Sequence, residues 1–246
     1  MLPRSARALH VEVSDVDARL AALLASAARL QALVPDAVLV GGTAAAIHAG
    51  HRISFDHDHV VADLSSRYAE VLEAVEASDG WVTSVRASSP PLTILGTLDG
   101  VEAGLRQLRR ARPLEVEHLL LAGHQLRVPT LQEMLRIKAY LVVQRNQVRD
   151  YLDTVALAER LGNKAVDVLL DMDAYYRDRS GEGDSVLTSL VQRLAEPNPR
   201  DVRVTTQLDR YKGIAGRWSS WDEVRRFCAE LSDSVLDRLD PRAGPP

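Results

Sequence analysis

The residues with the clearest chemical meaning lie in the stretch 39–61, LVGGTAAAIHAGHRISFDHDHVV. Asp56 and Asp58 are two residues apart in a segment that reads as a strand, so their carboxylates share one face. Paired carboxylates suit Mg2+, which takes one or two of them and completes its shell with substrate phosphates and water; Mn2+ is the alternative ion. Upstream, Gly41 and Gly42 let the backbone approach an anion with no Cβ in the way. Thr43 opens a helix there, and a helix N-terminus favours phosphate. A divalent cation with a polyphosphate is the ligand these residues suit, and phosphoryl or nucleotidyl transfer is the chemistry. A D-x-D pair by itself is equally at home on a solvated edge strand. The weight lies in the combination of strand, GGT, short helix and Arg52-x-Ser54-x-Asp56-x-Asp58.

The elements that must position these residues follow from hydrophobic period and turn chemistry. Residues 15–33 carry apolar side chains at helical spacing, with Ser14 and Asp17 as a capping box and Pro35 as the stop. AVLV at 37–40 reads as a buried strand, Thr43 to Ala49 as a helix closed by Gly50, and 53–61 as the carboxylate strand. Ser65 or Ser66 is expected to cap a helix to about Ala77, before a turn at Asp79–Gly80. Strands are expected at 81–86 and in a hairpin formed by TILGTL, Asp99–Gly100 and VEAGLRQL. A second hairpin pairs 114–121 with 125–128 around Ala122–Gly123–His124. At Pro129–Thr130 strands give way to helices. The first runs from a Thr130/Glu133 capping box to about Arg145. Others cover about 148–161, ending at Gly162, then 163–178, 186–195 and 221–239, the last capped by Ser220 with Glu223. SGEGDS at 180–185 reads as a flexible loop and PRAGPP as a frayed tail. Two regions result: an α/β core over residues 1–129 and a helical C-terminal region over 130–246.

GGTAAAIHAGHRISFDHDH resembles the signature of the nucleotidyltransferase-fold toxins of the AbiEii/MenT type, roughly GGT-A-L…R-x-S-x-D-x-D, within the DNA polymerase β-like superfamily. VPTLQEMLRIKAYLVVQRNQVRDYLDTVAL resembles the family's later motif, in which a helix carries a lysine, then an arginine, then an R/K-D-x-x-D start to the next helix. The two blocks span about residues 37–162. The resemblance implies an α+β chain with the nucleotidyltransferase fold: a mixed twisted sheet with flanking helices, followed by a helical C-terminal half that completes the cleft. It implies a Mg2+-dependent toxin enzyme that transfers a nucleotide from an NTP to an RNA, with the tRNA 3′ end as acceptor and pyrophosphate as leaving group. A cognate antitoxin is the implied protein partner; DNA and membranes are not among the expected partners. Carried over by position, Gly41, Gly42 and Thr43 hold the triphosphate, Arg52 and Ser54 belong to the nucleotide-binding signature, and Ser54 either touches phosphate or braces the strand. Asp56 and Asp58 bind the metal, Lys138 contacts the nucleotide phosphates, and one of Asp150 and Asp153 is the essential acid of the later motif. The alternatives are a nucleotidyltransferase acting on a small molecule such as an antibiotic, and a nucleotide-binding relative without catalysis.

Further residues bear on the same site. Lys138 sits on the apolar stripe of Met134, Leu135, Leu141 and Val142, where it either meets an anion or snorkels at the margin. Asp150 and Asp153, one turn apart, could face it, and Asp150 also complements a helix dipole. A third metal carboxylate is expected on a strand neighbouring the aspartates. Glu115 and Glu117 share one face of 114–121 and are the candidates, with Glu117 as the metal ligand, while Asp99 and Glu102 read as turn or surface residues. His57 and His59 point away from the aspartates; with His48 and His51 they could make a zinc site, the plainer reading being packing on the back of the sheet. Arg106, Arg109, Arg110 and Arg112, with Arg136, Arg145 and Arg149, either line an RNA groove or form a solvated edge. Trp218 and Trp221 read as packing anchors, and Cys228 has no base beside it that would make it a nucleophile.

Composition bounds the function class. The chain has 246 residues, 46% apolar and only 4% aromatic, so its core is built of Leu, Val and Ala. A net charge of −4 with both signs interspersed argues against coating nucleic acid through bulk charge. One cysteine allows no internal disulfide and no cysteine-based zinc site. The opening MLPRSARALHVEV lacks the apolar run of a signal peptide, and no stretch approaches a membrane span, so a soluble cytoplasmic protein is expected.

Overall fold

The computed structural model describes residues 4–110, 112–176, 185–211, 213–214 and 216–240. Their order is α1 (Arg4–Leu33), β1 (Val38–Val40), α2 (Gly41–Ala49), β2 (Asp56–Val61), α3 (Tyr68–Glu76), β3 (Trp81–Thr83), β4 (Thr93–Leu98), β5 (Val101–Gln107), β6 (Val116–Leu121), β7 (His124–Pro129), α4 (Leu131–Gln144), α5 (Val148–Leu161), α6 (Lys164–Leu170), α7 (Met172–Tyr175), α8 (Val186–Ala195), 3-10 segments at Val202–Arg210 and Gly216–Ser219, and α9 (Trp221–Leu239). The described residues form two compact units. One draws on Met1–Thr43, Ser54–Arg109 and Val116–Val128, the other on Ala44–Ile53, Arg110–Glu115 and Pro129–Pro246.

The first unit is built on a five-stranded sheet of order β1-β2-β5-β4-β3, with β6 and β7 in a separate two-stranded sheet. β2 and β5 run parallel, and the other pairs in the larger sheet are antiparallel. The hairpin turns come from local chemistry: Asp99 and Gly100 have φ of 53° and 78°, Ala122 and Gly123 of 47° and 81°, the left-handed conformations that match strand twist. Alternation sorts the two faces. His57, His59 and Val61 are buried while Asp56, Asp58 and Val60 are half-exposed. Leu30 and Val34 pack on the buried face with Val61, Leu64, Val71, Val75, Ile94, Leu98, Ala103 and Leu105. Leu23, Ala27 and Leu30 of α1, with Val34 just after it, recur at helical spacing and all are buried.

The second unit is helical. α5 is buried all round from Asp150 to Ala158, as the central helix of its unit must be. It packs against α4, α6 and α9, and α8 packs against α4 and α9. Cys228 lies buried on α9, where burial raises its thiol far above the usual range and makes it inert. Trp218 stacks edge-on against Phe227 and Trp221 against Tyr151, both as packing anchors.

Several boundaries differ from the sequence reading. α1 runs through Ser14 and Asp17, so Ser14 is not its cap. Ser66 donates to the Asp63 carbonyl and α3 starts at Tyr68. β2 starts at Asp56 and β3 ends at Thr83, because each strand lasts only as long as its neighbour's ladder. The 163–178 helix divides into α6 and α7. Thr130 caps α4 by accepting from Glu133 N, while the Glu133 side chain turns to arginines. Ser220 precedes α9 without a side-chain cap bond. Residues 180–184 of the expected loop and the PRAGPP tail lie outside the described residues.

The back of β2 carries a cost. Ser26 Oγ gives its one proton to the Leu98 carbonyl at 3.0 Å, so the 2.9 Å contact with His57 Nε2 requires that nitrogen to be the donor. His57 Nδ1 and both ring nitrogens of His59 are buried without a hydrogen-bond partner. Burial, opposed by Asp56, lowers His57 to about 4, and burial with His57 beside it holds His59 well below its ordinary value. The unfolded chain takes up these protons as pH falls through about 6.5, and the native protein resists until near the lowered values. Native stability is therefore lost on acidification across that window, by about 3 kcal/mol for His57 alone. His59→Leu removes two unsatisfied polar atoms and is expected to raise Tm at pH 7 by a few degrees and to flatten the loss between pH 6.5 and 4. Thermal melts across that range check both; a lowered Tm at pH 7 with an unchanged acid profile contradicts them.

Candidate active site

The site is built on β2. Asp56 and Asp58 stand on the half-exposed face of the strand, as their spacing requires. Parallel pairing sets Asp56 beside Glu102 and Asp58 beside Gly104 on β5, and antiparallel pairing sets Val40 of β1 on the other side of Asp58. Each carboxylate is held by a different device. Ser54 Oγ donates to Asp56 Oδ1 at 2.8 Å, and Thr43 Oγ1 donates to the Asp56 carbonyl at 2.5 Å, tying the start of α2 to the start of β2. Asp58 receives Arg106 Nε at 3.3 Å. Gly104 is there for a steric reason: a Cβ on it would stand 2.6 Å from Asp58 Oδ1. Gly41, with φ +76°, lies against the same carboxylate, its added Cβ 3.5 Å from Asp58 Oδ2.

Gly104 thus clears space beside one carboxylate of an oxygen-only donor set, while Gly41 is required by its positive φ; the set fits Mg2+ or Mn2+. Among the described residues no three His, Cys, Asp or Glu side chains converge as a metal cluster. Two carboxylates suffice for Mg2+ without a third, because the ion takes its remaining ligands from substrate and water. Glu115 falls before β6 and accepts from Arg136 and from Tyr175 OH. Glu117 is on β6, whose partner is β7; the strands flanking β2 are β1 and β5. The expectation of a third carboxylate on 114–121 as a strand adjoining the aspartates is corrected accordingly: the carboxylate in register with Asp56 is the exposed Glu102. The sequence reads Glu102 as a turn or surface residue, Arg106 as part of a basic cluster, and assigns Gly104 nothing, because nothing local announces a parallel crossover from β2 to β5; the lone glycine inside a strand pattern was the available signal.

The later motif forms a second constellation, within the helical unit. Asp153 is fully buried and accepts from Lys138 Nζ at 2.8 Å, from Arg52 Nε at 2.7 Å and Nη2 at 2.9 Å, and from His51 Nε2 at 2.8 Å. The anion that a core-facing lysine needs is Asp153. Burial alone would raise that carboxyl, but Lys138 and Arg52 outweigh it and hold it well below the usual carboxylate range. Burial lowers the Lys138 ammonium, with Asp153 opposing and Arg52 adding to the decrease. Asp150 does different work. It accepts from Arg145 and from the Gln147 backbone N–H, closing a capping box at the start of α5. Of the arginines weighed for an RNA groove, Arg110 is buried against Glu133 and Tyr176, Arg136 bridges Glu115 and Glu133, and Arg145 holds Asp150. These three are committed to carboxylates.

Comparison with known proteins supports the fold. The chain is similar in structure to MenT4, a nucleotidyltransferase toxin of Mycobacterium tuberculosis, with a TM-score of 0.56, 18% identity, and 99% of this chain and 92% of that one covered. It therefore has a MenT-type nucleotidyltransferase fold, a mixed sheet with a helical C-terminal half. In sequence it is 36% identical over 131 residues to the heme uptake protein MmpL11 of M. tuberculosis, covering 52% of this chain and 13% of that protein. It is 32% identical over 132 residues to the mycolic acid-containing lipids exporter MmpL11 of Mycolicibacterium smegmatis, covering 53% and 13%. The chain spans about an eighth of the length of the curated relatives it matches. No protein-family model matches it. Among the described residues, no helix is long and apolar enough to cross a membrane.

The buried hub gives a stability test. Asp153→Ala leaves Lys138 and Arg52 without their counter-ion and is expected to cost about 3–5 kcal/mol, whereas Lys138→Met leaves Asp153 still held by Arg52 and His51 and should cost less. Because the Asp153 pKa is depressed, this stabilisation is present above about pH 4 and lost as the pH falls toward the lowered value. Denaturant melts of the two variants decide it: equal losses contradict the hub.

Proposed function

We propose that this chain is a Mg2+-dependent nucleotidyltransferase that uses Asp56 and Asp58 to carry a cation–NTP complex and attaches the nucleotide to an RNA, with the 3′ end of tRNA as acceptor. The observation that supports this best is the geometry of Asp58, an outward carboxylate with glycines at 41 and 104 against it, beside a second carboxylate braced by Ser54. A divalent cation held there supplies neutralisation of the triphosphate charge and a template for in-line attack.

The chain's own residues do the rest. Asp56 and Asp58 bind and orient. Ser54 fixes the Asp56 rotamer, and Thr43 keeps the start of α2 registered against β2. Gly41, Gly42 and Thr43 form the N-terminus of α2, whose first backbone N–H groups lack intrahelical acceptors and suit the leaving phosphates. Within the helical unit, Arg52 and Lys138 are committed to Asp153. The acceptor hydroxyl attacks the α-phosphorus, the bond to the bridging oxygen breaks, and pyrophosphate and one proton are released. The likeness to MenT4, a nucleotidyltransferase toxin, and to the AbiEii/MenT signature supports a toxin role, and we propose tRNA as its target and a cognate antitoxin as its restraint.

The test is transfer. Incubation with each α-labelled NTP and total tRNA is expected to label the RNA, γ-label is expected to leave as pyrophosphate, and Asp58→Ala is expected to reduce labelling by at least about 1,000-fold. Label on an antibiotic and none on RNA moves the acceptor to a small molecule. No transfer to either, with a folded wild type, contradicts the enzyme.

A further inference from the structure

We propose that Arg106 is a positioning residue that couples nucleotide entry to cation binding: it shares Asp58 with the divalent cation and hands its guanidinium to the triphosphate when the nucleotide binds. This rests on the reading of Asp56 and Asp58 as the cation site.

The geometry is that of an exchangeable contact. Arg106 stands on β5 two residues beyond Gly104, so it shares the face of Asp58, and its register partner on β2 is Val60. Its Nε is 3.3 Å from Asp58 Oδ1, longer than the 2.8 Å bond from Ser54 to Asp56 and beyond the usual range for a charge-assisted bond. The pair is partly in water, with 45% of the Arg106 side chain and 31% of Asp58 exposed. Such a pair holds weakly and rearranges easily. The guanidinium meets the carboxylate through Nε, which leaves its Nη groups for a second anion. Gly104 puts no side chain in the way. Arg110, four residues on, is the contrast: its side chain is 3% exposed and locked to Glu133.

Electrostatics gives Arg106 two effects of opposite sign. A guanidinium at Oδ1 competes with a dication for the same lone pairs and repels it, so Arg106 weakens cation binding to the protein alone. A triphosphate is anionic enough to satisfy both cations, so Arg106 strengthens binding of the cation–nucleotide complex. The order of events follows: the site takes up metal poorly by itself and well with its nucleotide. A salt bridge that merely stiffens the sheet has no reason to act in opposite directions on the two ligands.

The experiment measures free Mn2+ by electron paramagnetic resonance with wild type, Arg106→Gln, Arg106→Lys and Asp58→Asn, and separately measures binding of a non-hydrolysable NTP analogue at saturating Mn2+. Arg106→Gln is expected to bind Mn2+ alone about 3- to 10-fold more tightly and the analogue about 10-fold more weakly, with Arg106→Lys between it and wild type. Unchanged affinities, or two shifts of the same sign, overturn the proposal; loss of Mn2+ binding in Asp58→Asn then leaves the cation site standing. If neither wild type nor Arg106→Gln binds Mn2+ with or without the analogue, the cation site falls and the proposal with it. Circular dichroism melts show that each variant is folded, and Arg106→Lys carries the test if Arg106→Gln is not.

Discussion

Two carboxylates side by side on one strand repel each other by about 1 kcal/mol even in a partly aqueous setting. The sheet unit is arranged so that this repulsion is tolerated. Ser54 turns one carboxylate, Arg106 partly neutralises the other, and the glycine at 104 keeps the space beside Asp58 clear. What makes the arrangement rigid lies behind it. The residues that alternate with the aspartates, His57 and His59, are driven into the core at the cost of unpartnered ring nitrogens. Because side chains alternate, that burial fixes which way the aspartates face; a one-residue slip of β2 would exchange the two sets.

The helical unit solves the converse problem. There the excess charge is positive and buried, and one carboxylate, Asp153, answers Lys138, Arg52 and His51 together. Such clusters contribute little net stability compared with an apolar core, but the loss of the carboxylate at their centre is severe.

Much of this was legible in the sequence where the cause is local. The Asp99–Gly100 and Ala122–Gly123 turns, the Gly50 and Gly162 stops, the opposed faces of aspartates and histidines, and α5, α8 and α9 follow from period and turn chemistry, as does the need of Lys138 for an anion. What escaped is non-local. The parallel pairing of β2 with β5 has no sequence signature, and through it Glu102, Gly104 and Arg106 come to the site while Glu115 and Glu117 do not flank β2. Asp150 and Asp153 were indistinguishable by spacing; the structure separates them, one as a helix cap and the other as the centre of an ion cluster. The arginines that looked like an RNA groove divide in the same way, since a carboxylate distant in sequence claims Arg110 and another claims Arg136.

The central claim is that Asp56 and Asp58 together carry a cation bound to a triphosphate. Its most direct test is a crystal grown with Mn2+ and a non-hydrolysable NTP analogue, with data collected at the manganese edge. The account predicts one anomalous peak about 2.2 Å from oxygens of both carboxylates and from phosphate oxygens of the analogue. A nucleotide bound elsewhere, or manganese that touches neither aspartate, would contradict it.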